Sequence, residues 1–361
     1  MDRIIKQCNP VQGVGWGQTP TLDLQLGPRY RQIILEVWVV NANTYIPTIL
    51  DVLDMIIVNI GGNPQRMHTA WELNEINRSY GAQYAVNAYK TVNGAIAWAN
   101  SGVPAAPAAG DAGGTIGTVF YIPIYFREPW RNSYAAQEMY AWYTAWQDGS
   151  VLPSFQLSLK VPALSTNIRA ASAITINAFA ETDNAVGPLD ASKRPVMMIT
   201  KWKRQPLTYS GIGDAVYTNL AKRELYSQIS LFSSYATGKG PLLAGITPAA
   251  LITDQNDITT PAFDVITRAK IEVDNRTVRD VTKIINDQGL IDDNMNEAGL
   301  PPDRLDVIFD KSDLPTDGLV MEAGSQVVRD FRLTATIGGA AAVGLYKTIT
   351  ALMQVYGAVE R

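Results

Sequence analysis

"TVFYIPIYFREPW", residues 118–130, is the stretch whose reading decides the fold. At the two-residue period of a strand, Val119, Tyr121, Pro123 and Tyr125 share one face, and Phe120, Ile122, Ile124 and Phe126 share the other. A strand with one wet face alternates apolar with polar. A strand apolar on both faces is covered on both sides in the working protein. Pro123 adds a second constraint, because it has no N–H to give to a sheet ladder and belongs at an edge or a bulge.

Working outward, strand-like runs dominate. The first half carries "TLDLQL" (21–26), "RQIILEVWVV" (31–40), "LDMIIVNI" (53–60), "SFQLSLKV" (154–161) and "SAITINAFA" (172–180). They are separated by "NANTYIP", "GGNPQ" and "PAAPAAGDAGG", whose Gly, Pro, Asn and Asp residues end strands. A polar patch, "DNAVGPLDASKRP" (183–195), interrupts the pattern, which restarts with "VMMITKW", "LYSQISLF", "VITRAKIEV", "LDVIFD", "VVRDFRLTATI" and "GLYKTITAL". The patch predicts two domains: 1–188, including an N-terminal lead-in, and 189–361. Short echoes support two similar halves. "FQLSL" starts at Phe155 and "FRLTA" at Phe331, and "IT" recurs at Ile174-Thr175 and Ile349-Thr350.

Three helices are expected within this β pattern. In "HTAWELNEINRSYG", Thr69 and Glu72 have the spacing of a capping box, Leu73, Ile76 and Tyr80 share a face, and Gly81 ends the run. "TVRDVTKIINDQG" (277–289) places Val278, Val281 and Ile285 on one face, and "SYAAQEMYAWYTAWQ" (133–147) is aromatic on more than one side. Residues 82–117 and 233–262 read as long surface loops.

Composition narrows the function. Thirty basic residues against 34 acidic ones give no general electrostatic reason to bind nucleic acid or an anionic membrane. Charged residues are 18% of the chain, below the roughly 25% of typical soluble domains. With 16 Tyr and 8 Trp, that balance fits a chain that covers its outside with copies of itself. A single cysteine, Cys8, excludes an internal disulfide and a cysteine zinc site. No signal peptide is visible at "MDRIIKQCNP". The apolar stretch 338–359 carries Lys347 at its middle and β-branched residues, so it reads as strand rather than membrane span.

Catalytic signatures are missing. The single histidine, His68, precedes the capping box, and no G-x-S-x-G elbow offers it a nucleophile. "GVGWG" (13–17) lacks a phosphate-binding spacing and reads as a flexible lead-in. "DDNMNEAG" (292–299) and "DKSDLPTDG" (310–318) read as solvated loops, since Leu314 and Pro315 stand where a calcium loop needs a ligand and a glycine. "KWKR" (201–204) is too short for a nucleic-acid patch. No catalytic residue, cofactor site or metal site is expected. Carboxylates drawn from distant strands leave a glycoside hydrolase open.

"RQIILEVWVVNAN", then "LDMIIVNIGGNPQRMHTAWELNEINRSYG", then a small-residue loop and "TVFYIPIYFREPW" resemble the first half of double jelly-roll major capsid proteins of tailless icosahedral bacteriophages with an internal membrane. The resemblance covers about 30–180; in the second half only the layout fits. It implies an all-β fold of two side-by-side eight-stranded jelly rolls with short helices and long surface loops. It also implies a virion protein, assembled in the host cytoplasm, whose homotrimers form capsomers that meet one another and the penton and minor capsid proteins. No specific nucleic acid and no cofactor are implied. Family members often carry an amphipathic N-terminal segment against the membrane. Here Pro10 stops any helix after "MDRIIKQCN", so a membrane contact through the N-terminal region is left open. The alternatives are a jelly-roll carbohydrate-binding protein or glycoside hydrolase, and a phage spike or receptor-binding trimer.

Overall fold

The computed structural model describes residues 3–41, 49–79, 85–92, 95–99, 116–131, 133–164, 168, 172–209, 211–222, 225–235, 266–292, 304–310, 317–323, 326–338 and 346–359. The chain forms two compact units that divide between Ile199 and Thr200. That division lies past the polar patch, because Leu189, Met197 and Ile199 still pack into the first core.

The first unit contains β1 (Ile4–Gln7), β2 (Thr21–Asp23), β3 (Arg29–Asn41), α1 (Ile49–Val52), β4 (Met55–Ile60), β5 (Asn63–His68), α2 (Ala70–Ser79), β6 (Ala85–Val92), β7 (Ala95–Ala99), β8 (Ile116–Tyr125), α3 (Tyr134–Glu138), β9 (Trp142–Tyr143), β10 (Phe155–Lys160) and β11 (Ala173–Asp183). One sheet runs β1-β11-β3-β8 and continues through β6 and β7; the facing strands run β5-β4-β10-β2. Between them the core holds Ile33, Leu35, Val37 and Val39 of β3, Ile56 and Val58 of β4, and Leu157 and Leu159 of β10, all fully buried.

The second unit contains β12 (Met198–Thr208), β13 (Gly213–Tyr217), β14 (Leu225–Tyr235), β15 (Ile266–Val273), β16 (Arg276–Thr282), α4 (Lys283–Asp292), β17 (Arg304–Ile308), the short β18 (Leu319–Val320), β19 (Glu322–Ala323) and β20 (Gln326–Val327), then β21 (Phe331–Ile337) and β22 (Tyr346–Ala358). Its strands order β17-β14-β22-β12 and β13-β21-β15-β16.

Leaving out the inserted and short strands, each unit has the same wiring. One layer takes the first, eighth, third and sixth strands, and the other takes the second, seventh, fourth and fifth. This is the jelly roll. The sequence echoes fall on equivalent strands: Phe155 and Phe331 begin the seventh, and Ile174 and Ile349 lie in the eighth. Both helices α2 and α4 follow the fifth strand.

Local readings differ from the structure where two periodicities compete. The expected helix over 277–289 begins only at Lys283 and runs past Gly289. The β-branched "TVRDVT" before it pairs with β15 instead, leaving Val278 and Ile285 exposed. The expected helix over 133–147 stops after Glu138. Trp142 and Tyr143 turn back to pair with Tyr30 and Arg29, which drives the Trp142 ring into the core. Within the expected loop 82–117, β6 and β7 form a hairpin on β8; residues 100–115 lie outside the described residues, as do 236–262 of the second loop. The "GVGWG" segment is anchored rather than flexible, with Trp16 Nε1 donating to the Ser172 carbonyl at 2.8 Å.

Phe155 packs edge-on against Tyr30 at 5.0 Å, and Phe331 against Tyr226 at 5.3 Å. Phe155→Ala and Phe331→Ala are each expected to cost about 3–5 kcal/mol, measured by urea unfolding. A change below 1 kcal/mol at either position would contradict the equivalence.

Candidate functional site

The site is built around β8. Its inner face, Phe120, Ile122, Ile124 and Phe126, is no more than 1% exposed. On the outer face Val119 and Pro123 are buried, and Tyr121 and Tyr125 are half-buried. Within this chain the inner face is fully covered and the outer face only in part.

Among the described residues, Pro123 sits where the ladder stops on one side. β3 pairs along the whole of β8, but β6 begins opposite Tyr121. Residues 123 and 125 turn their main-chain groups away from β3, and side chains meet them there. Asn77 of α2 donates to the Pro123 carbonyl at 3.0 Å, and Arg66 of β5 donates to the Tyr125 carbonyl. The missing proline N–H thus costs no ladder bond.

The capping box at Thr69 and Glu72 positions α2. The Thr69 N–H donates to Glu72 at 2.8 Å, and the Glu72 N–H donates to Thr69 Oγ1 at 3.0 Å. Leu73 and Ile76 are buried as expected; Tyr80 and Gly81 lie outside the described residues. Arg66 enters the core over the rings of Phe126 and Trp142, 5.4 and 5.1 Å from their centroids. Burial pushes its guanidinium down to about 9, against the opposing pull of Glu128.

At the end of the same sheet a β-bulge collects charge. Gln32 pairs with Glu181 and Tyr30 with Thr182, so Arg31 is an extra residue in β3. Its carbonyl accepts from both Phe126 and Arg127. Arg29 binds Asp183 at 2.6 Å, and Arg31 pairs with Glu138 and lies 3.2 Å from Glu181. Arg127 approaches Glu138 and Glu181 at 3.7 and 3.8 Å, and Arg3 reaches Glu181 at 2.6 Å. The Asp183 carboxyl is pushed up by burial, but hydrogen bonds from Arg29 and Ala185 outweigh this and hold it below the usual carboxylate range. This arrangement clamps three strand ends and α3 together. Sequence reasoning did not find it, although "RYRQ", "FREPW" and "AETD" place charge at the ends of otherwise apolar runs.

His68 closes β5 opposite Ile56 and is 1% exposed. Burial, together with the Arg66 charge, pushes its pKa down to about 3. The "KWKR" cluster lies within β12, with Lys201 and Trp202 buried and Arg204 donating to Thr350 Oγ1 at 3.2 Å. Asp310 is buried and accepts from Tyr356 at 2.6 Å; the rest of the two acidic runs lies mostly outside the described residues. Among the described residues, no group of three or more His, Cys, Asp or Glu could hold a metal ion.

Residues 5–92 match the family described as viral coat protein P2 N-terminal domain. Similar solved structures span the whole chain. The major capsid protein P2 of bacteriophage PM2 has 13% identity and a TM-score of 0.64, covering 100% of this chain and 99% of that one. The chain has the double jelly-roll fold of viral major capsid proteins. The Sulfolobus turreted icosahedral virus structure has 9% identity, covers 99% and 91%, and gives a TM-score of 0.62. The PBCV-1 virus capsid has 13% identity, covers 100% and 97%, and gives 0.58. No curated protein matches the sequence.

Two expected outcomes follow from the charges. Glu138→Gln leaves buried guanidinium groups short of a counter-charge and is expected to cost about 3–5 kcal/mol, read by denaturant unfolding; an unchanged midpoint would remove the clamp. In acid, His68 binds its proton near pH 6.5 when unfolded but only near 3 when folded. The unfolded chain therefore holds more protons, and stability falls as pH drops through that window. Asp183, depressed in the fold, adds a further loss below about pH 4. His68→Gln should flatten the upper part of the profile, and an unaltered slope would contradict the assignment.

Proposed function

We infer that the chain is a viral major capsid protein, the repeating subunit of an icosahedral shell. Two rolls of identical wiring in one chain carry this reading, together with the coat-protein match at 5–92. The glycan-binding and spike alternatives gain no support from these comparisons.

The finer reading is a homotrimer. Two similar rolls per chain give each trimer six similar rolls, and unlike front and back surfaces allow the head-to-tail contacts that close a ring. Support comes from the low charge fraction and from the half-buried aromatic residues on the outer face of the first roll, Trp38, Tyr121 and Tyr125. Neighbouring capsomers and the penton and minor capsid proteins are its further partners, and assembly in the host cytoplasm precedes its place in the virion. The subunit acts as structure and not as an enzyme. Membrane contact through the N-terminal region is not part of this proposal, because Ile4–Gln7 is a sheet strand.

Light scattering should give a trimer at micromolar concentration, and a monomer would overturn the reading. Ile124→Asp buries a carboxylate in the core and is expected to abolish folding. Tyr125→Asp lies on the outer face and should leave a folded chain that no longer forms trimers.

A further inference from the structure

The strands that open the two rolls are held in different ways. β12 runs for 11 residues and buries Ile199, Thr200, Lys201 and Trp202. β1 has four residues, and all four side chains are exposed, Ile5 at 67%. It lies at the end of its sheet and is attached to β11 in the register Ile4↔Thr182 to Gln7↔Phe179. The Cys8 N–H continues the pairing to the Ala178 carbonyl at 2.8 Å. Its side-chain ties are Arg3 to Glu181 and Lys6 to Gln25 Oε1, the latter at 2.8 Å. A strand held by its main chain has no preference for its own chain, since any copy of the segment makes the same bonds.

The ion cluster points the same way. Arg29, Arg31 and Arg127 face Glu138, Glu181 and Asp183, three charges of each sign, and Arg3 is a fourth cation with its side chain 52% exposed. When Arg3 leaves, the cluster is neutral, and Glu181 keeps Gln32 as a donor at 2.7 Å. The departing pair is half in water, where such pairs contribute little. Asn9 and Pro10, both exposed, follow the strand; Asn9 Nδ2 donates to the Asp23 carbonyl at 3.3 Å, and Gln12 pins the chain by bridging to Thr21. An uncovered β11 edge would in turn recruit a strand.

We propose that β1 is exchanged between copies, so that Ile4–Gln7 of one chain adds to the β11 edge of a neighbour and its Arg3 pairs with that neighbour's Glu181. The proposal rests on the self-association inferred above. Exchange keeps every main-chain bond and ion pair, and copies held together in an assembly supply the acceptor at high local concentration.

The test uses the full chain with Gln7→Cys and Phe179→Cys, which face each other in register, in a Cys8→Ser background. Oxidation of an oligomer verified by light scattering should give covalently linked chains on non-reducing denaturing gels. Bonds formed only within one chain, or none at all, in such an oligomer would overturn exchange alone. A wild-type chain that scatters as a monomer would overturn self-association as well.

Discussion

Two main-chain carbonyls, those of Pro123 and Tyr125, lie where the described ladder of β8 has ended on one side, and each needs a donor. Asn77 and Arg66 supply the donors, and much of the first roll follows from that requirement. Asn77 reaches Pro123 because α2 starts where the Thr69–Glu72 box fixes it. Arg66 can stay buried because Phe126 and Trp142 offer their ring faces and Glu128 a counter-charge. Trp142 arrives there because α3 stops early and the chain turns back along β3. The apolar strand, the short helix and the buried arginine are one solution to one unpaired stretch of backbone.

Charge is scarce in this chain, yet the first roll concentrates it in a buried cluster. The bulge at Arg31 makes that possible by adding a residue to β3 and placing its guanidinium between Glu138 and Glu181. The buried charges fix how the strand ends and α3 meet. Such clusters add less to stability than an apolar core of the same volume, but they penalise any arrangement that separates their members.

The two rolls share their wiring and differ in how they close. In the first, the opening strand is a four-residue edge with no buried side chain; in the second, it is long and buried. The difference falls on the strand that the proposed exchange would hand to a neighbour, while Phe155 and Phe331 begin equivalent strands in both rolls.

Alternation and turn chemistry in the sequence by themselves determined the all-β class, the runs that became the long strands, and the capped α2, because each depends on residues within a few positions of one another. The Asn-Gly pair at 93–94, between "AVNAYKTV" and "AIAWA", was a legible hairpin signal inside a stretch that reads as loop by its small residues. Where helical and strand periods overlapped, at 133–147 and 277–289, local pattern could not choose, and pairing with β3 and β15 did. The tertiary structure alone decided the ion cluster, whose members are spread from Arg3 to Asp183. It also decided that Pro123 faces Asn77 and that His68 is sealed away from solvent. Those outcomes depend on which strand ends a sandwich brings together, and that follows from the order of strands across the sheets rather than along the chain.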